Sequence, residues 1–60
     1  MYLSEVRNSV KRERGNFLHR RYFETLDEGL EWARELAMRI VEGGFWTDEE
    51  IVMEHKEFAK

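Results

Sequence analysis

The 60-residue sequence contains no cysteine, no proline and only four glycines. Without cysteine there is no disulfide framework, and with two histidines a closed zinc site would need carboxylates for half its ligands, an unusual set for zinc. Nothing in the sequence calls for a metal or a cofactor. No charge-free run approaches the roughly 20 residues that span a bilayer, which excludes a transmembrane helix. Residues 1–10 include Glu5, Arg7 and Asn8, where a signal peptide needs an unbroken apolar stretch. The chain is therefore expected to be cytoplasmic, with no membrane partner. A domain this short buries only about 60% of the surface its unfolded chain exposes, so its stability must come from core packing or self-association.

What the sequence does have is charge and rings. Charged residues make up 38% of it, apolar residues 42%, and eight side chains are aromatic. The net charge of −3 conceals a division: residues 1–25 carry six basic and three acidic side chains (+3), and residues 26–60 carry four basic and ten acidic (−6). Such a dipole steers encounter with a partner of complementary charge. One domain over 1–60 is expected, too small to wall off a deep pocket, so binding should occur at a surface.

Thr25-Leu26-Asp27-Glu28 has the spacing of a capping box, with acidic residues at the positive helix end. Leu26, Gly29, Leu30, Ala33, Leu36, Ala37, Ile40 and Val41 follow at three- and four-residue steps, and Gly43-Gly44 supplies a stop. These signals predict a helix over 26–42. Upstream, the aromatic-rich run 17–23 reads as a strand, and Gly15-Asn16 before it suits a tight turn. The segment 2–10, with Tyr2, Ser4, Val6, Asn8 and Val10 on one face, is its expected hairpin partner; a helix over 4–14 is the competing reading. At the end of the chain Thr47-Asp48-Glu49-Glu50 is a second capping box, with Trp46 and Ile51 placed as a hydrophobic staple. These favour a helix over 48–59, whereas the run Ile51-Val52-Met53 would suit a closing strand that joins the hairpin in a three-stranded sheet.

Catalytic signatures are scarce. Ser4, Ser9, Thr25 and Thr47 do not sit in a nucleophile-elbow sequence with His19 or His55, and Glu54-His55 with Glu57 lacks the HExxH spacing, so no catalytic residue and no enzyme activity is expected. Glu28, Glu31, Glu35 and Glu42 lie opposite the apolar stripe, Glu35 four residues before Arg39; such a face is either simply solvated or a contact for a basic groove. Lys11, Arg12, Arg14, Arg20 and Arg21, interleaved with Phe17, Tyr22 and Phe23, have the composition of a phosphate-contacting, base-stacking surface, although net acidity counts against strong nucleic-acid affinity. Trp32 falls about 110° and Met38 about 130° from the centre of the helix stripe. Trp32 either wraps the core edge or anchors an interface, and Phe45 and Trp46 pose the same choice. Eight aromatics exceed what so small a core should hide, so a second copy or a target protein is expected to meet some of them.

The run Tyr22-Phe23-Glu24-Thr25-Leu26-Asp27-Glu28-Gly29-Leu30-Glu31, continuing to Ala33 and ending near Gly44-Phe45, covers about a third of the chain. It resembles the strand-to-helix junction of the small phage-encoded inhibitors of host RNA polymerase from T-odd coliphages. The resemblance implies two strands, a helix and a closing strand, docking on the polymerase jaw through basic residues of the closing strand and an acidic strip. Here residues 47–53 carry Asp48, Glu49 and Glu50 and no arginine.

The expected fold is α+β: an N-terminal β-hairpin packed on the 26–42 helix, then a short C-terminal helix or closing strand, with an all-α three-helix bundle as the alternative. The expected function is a non-enzymatic protein-binding module, a phage- or mobile-element-encoded inhibitor that blocks a surface of a host protein complex. Its contacts would be Arg20, Arg21, Glu28, Glu31, Trp32, Glu35 and Trp46. The alternative is a small nucleic-acid-binding module using Lys11, Arg12, Arg14, Arg20 and Arg21.

Overall fold

A computed structural model describes residues 1–10 and 18–58. Side chains alternate across the first strand, β1 (Tyr2–Asn8), so that Tyr2, Ser4, Val6 and Asn8 share one face and Leu3, Glu5 and Arg7 the other. β1 is the central strand. It pairs antiparallel with β2 (Leu18–Phe23), from Tyr2 opposite Phe23 to Arg7 opposite Leu18. On its other side it pairs antiparallel with β3 (Ile51–Glu57), from Tyr2 opposite Glu57 to Asn8 opposite Ile51. The sheet order is β2-β1-β3, and the helix α1 (Leu26–Glu42) covers the Val6 face. The hairpin, the helix and the closing strand make the expected α+β fold. The proposed turn at Gly15-Asn16, with Phe17, lies outside the described residues.

The helix expected over 48–59 does not form. Asp48–Glu50 make a single 3₁₀ turn, and the chain then enters β3. The local signals are used but confined to that turn: Thr47 N–H donates to Glu50 Oε1 at 3.1 Å, and Trp46 and Ile51 both pack on the core as a staple should. What overrides helix propagation is β1. A hairpin alone would leave one side of this buried strand with bare backbone donors and acceptors, and a ladder from Ile51 to Glu57 satisfies them. Asn8 and Glu50 close the junction, with Ser9 N–H donating to the Glu50 carbonyl at 2.8 Å and Asn8 Nδ2 to Glu50 Oε1 at 3.4 Å.

Both ends of α1 follow from the sequence. Thr25 Oγ1 accepts from Glu28 N–H at 3.3 Å and Glu28 Oε1 accepts from Thr25 N–H at 3.3 Å, a complete capping box. At the other end Gly44 N–H donates to the Val41 carbonyl at 3.0 Å and Phe45 N–H to that of Ile40 at 3.1 Å. This is a Schellman motif with Gly44 in the left-handed region at φ 76°.

The buried face of α1 runs along Gly29, Ala33 and Ile40. Ala33 and Ile40 pack with Val6, and Trp32, Leu36, Trp46 and Ile51 close around them half-buried. Leu26 and Leu30, expected in the stripe, are exposed. They lie toward the C-terminal end of β3, whose helix-facing residues are His55 and Glu57, so the sheet offers them no apolar floor.

Candidate functional site

Consecutive residues of a strand point to opposite faces, and this separates the two arginines of β2. Arg20 lies on the face away from the helix, where its Nη2 donates to Glu5 Oε2 at 3.0 Å. Glu5 is buried and directly opposite Glu54 on β3, whose carboxylate is 3.6 Å from Arg7. Arg20 is therefore a structural residue, which compensates a buried carboxylate that already faces a like charge. Arg20→Ala should lower stability by about 1–2 kcal/mol, and Glu5→Gln in the same background should recover much of it. Urea titration of the two variants checks this, and equal midpoints for Arg20→Ala and wild type would remove that role.

Arg21 lies on the helix side, its guanidinium 5.5 Å from the Phe23 ring centroid. Phe23 in turn meets Trp32 with centroids 5.6 Å apart at 49°. Two residues before Arg21 on the same face of β2, His19 meets Trp46 with centroids 6.0 Å apart at 49°. β2 and the helix therefore share a wall of rings. At its Trp46 end is an open cleft of about 270 Å³ lined by His19, Leu36, Ile40, Phe45 and Trp46. Phe45 is 72% exposed, and its ring lies against the end of the helix. The Schellman motif holds its backbone, and the ring lies so close over Gly43 that a Cβ there would come within 2.6 Å of Phe45 Cε2.

Glu28, Glu31 and Glu35 are exposed on α1. At 100° per residue they span an arc of about 60°, with Trp32 about 40° beyond Glu28. The acidic strip therefore borders the ring wall. Of the residues singled out from sequence, Arg21, Trp32 and Trp46 share the helix side of β2 beside Glu28, Glu31 and Glu35, and Arg20 does not. Lys11, Arg12 and Arg14 lie outside the described residues. Phe45, His19 and Phe23 belong to this surface but were not among the expected contacts. From sequence Phe45 poses the same choice as Trp46, and its position after a helix-ending glycine is the local signal that sets it beside the last turn.

Ser4 Oγ is 2.8 Å from His55 Nδ1, directly across the β1–β3 ladder. Ser4 has no exposed surface and sits beneath Gly29, so its hydroxyl does not reach a substrate; the pair joins two strands. Among the described residues no three metal-ligating side chains cluster, and no helix is long and apolar enough to cross a membrane. No family model, curated protein or solved structure matches the chain.

Proposed function

We propose that the protein is a non-enzymatic binding module that blocks a surface of a host protein complex, the role that its resemblance to phage inhibitors of RNA polymerase implies. One observation carries this reading. Phe23, Trp32, His19, Trp46 and Phe45 line one side of the molecule, bordered by an acidic strip. Aromatic anchors set in a charged rim are the composition of a protein interface. The order of strands and helix, β-β-α-β, is also the one the resemblance implies.

The test is affinity capture from a bacterial lysate with and without nuclease, using wild type and Glu31→Lys/Glu35→Lys. Wild type should retain a host protein complex after nuclease, and reversing the strip should reduce retention by about tenfold or more at unchanged thermal stability. Retention that disappears with nuclease would replace this reading with nucleic-acid binding.

A further inference from the structure

The cleft beside Trp46 shares Phe45 and Trp46 with a second groove, whose walls include Asp48 and Glu50. The first is apolar except for His19; the second adds two carboxylates, Asp48 and Glu50, to a wall of Val41, Phe45 and Trp46. Asp48 is exposed and Glu50 half-buried. One Glu50 carboxylate oxygen accepts from the turn backbone and from Asn8, which fixes the side chain at the groove. At about 270 Å³ the apolar part lies just under the range of small-molecule sites and is open on one side, which suits a single inserted side chain.

The geometry points to a specific occupant: a partner segment that inserts one bulky apolar side chain between Phe45, Trp46 and Leu36 and places an adjacent lysine or arginine against Asp48 and Glu50. The inference rests on the reading of the chain as a protein-binding module and names the chemistry of what it binds. Two features support it beyond the shape of the cleft. The Schellman loop holds the Phe45 backbone at the rim in the free protein, so no backbone ordering entropy is lost there when a partner closes on it. And among the described residues the side chains that line the second groove include two carboxylates, Asp48 and Glu50, and no basic group. A segment carrying acidic residues next to its apolar anchor is repelled there, so the groove selects by charge as well as by size.

The experiment uses isotope-labelled full-length protein and three blocked peptides. The parent is Gly-Ser-Leu-Lys-Arg-Ser-Gly; one analogue has Gly for Leu, the other Glu-Glu for Lys-Arg. The parent should shift the amides of Gly44, Phe45 and Asp48 and the Trp46 indole N–H, leaving the Trp32 indole in place. Each analogue should bind about tenfold more weakly, equivalent to ~1.4 kcal/mol. Phe45→Ala should weaken the parent by a similar factor, and Asp48→Lys should abolish the preference for Lys-Arg over Glu-Glu; both positions are exposed, and melting curves confirm folding. Equal binding of all three peptides, shifts centred away from the cleft, or no shifts at millimolar parent would each overturn the inference. Lysate capture separates this failure from that of the functional reading. A nuclease-resistant host partner retained equally by wild type and Phe45→Ala, with no cleft shifts, overturns the cleft chemistry and leaves the binding module standing. Cleft shifts in the expected order with no retained partner sustain the chemistry and overturn the host target.

Discussion

Replacing Gly29 by alanine should destabilise the protein by about 1–3 kcal/mol, although at an exposed helical position the same change stabilises by about 1 kcal/mol. The reversal comes from the approach of α1 to β1. A Cβ on Gly29 collides with Ser4 Oγ and touches Phe23 Cδ2 and Ser4 Cβ at 3.4 Å. Ser4 is fully buried on the central strand, and turning its hydroxyl away gives up the 2.8 Å contact with His55, a further loss of about 1 kcal/mol. The alternative is to lift the helix, which separates Trp32 from Phe23 and Ala33 from Val6. Removing the obstructing oxygen should reverse much of the effect. Gly29→Ala/Ser4→Ala leaves only the 3.4 Å contacts and should be more stable than Gly29→Ala alone, with a coupling of about 1–2 kcal/mol between the sites. Urea unfolding of the four proteins of this cycle measures it. A Gly29→Ala protein as stable as wild type would mean that the helix does not rest on Ser4.

This contact also illustrates where the sequence is legible. Gly29 is recognisable in the stripe of α1, and both helix ends follow from Thr25 and from Gly43-Gly44, because caps and periodicity are written within a few residues. That Gly29 must be glycine is not written there, since the reason stands on β1, twenty-five positions away at Ser4. The last segment misleads for the same cause. Thr47, Glu50 and the Trp46–Ile51 staple announce a helix start, and the turn they announce does form. Its continuation is decided by the bare edge of a strand at the other end of the chain. The candidate site divides along the same line. Trp32, Trp46 and the acidic strip could be chosen from helical angles and composition. Grouping Arg20 with Arg21 as one basic patch overlooks the period of two, which sends one to Glu5 and the other to Phe23. The cleft itself depends on His19 of β2 meeting a loop that follows the helix, a tertiary fact with no local signal.

Ile40→Ala should be the most damaging single truncation at the cleft and should separate the floor of the site from its rim. Ile40 is 8% exposed, packs with Val6 and Ala33, and is also the residue whose carbonyl accepts from Phe45 N–H. Truncating a buried isoleucine costs about 2–5 kcal/mol, and the lower half applies here because the adjoining cleft gives its neighbours room to relax. A domain of this length has a total stability of only about 3–9 kcal/mol at typical values per residue. The loss is therefore a large share, and at about 4–8 °C per kcal/mol the melting temperature should fall by roughly 10–20 °C. Phe45→Ala removes a larger side chain from the same cleft but from its 72% exposed rim, so its effect on stability should stay within about 0.5 kcal/mol. Thermal unfolding of the two variants side by side is the measurement. If Ile40→Ala melts with Phe45→Ala, the packing around Val6 is not what holds α1 to the sheet. If the two differ as expected, Phe45 is retained at the surface for something other than stability, since an exposed phenylalanine that contributes little to the fold leaves its area free for a partner.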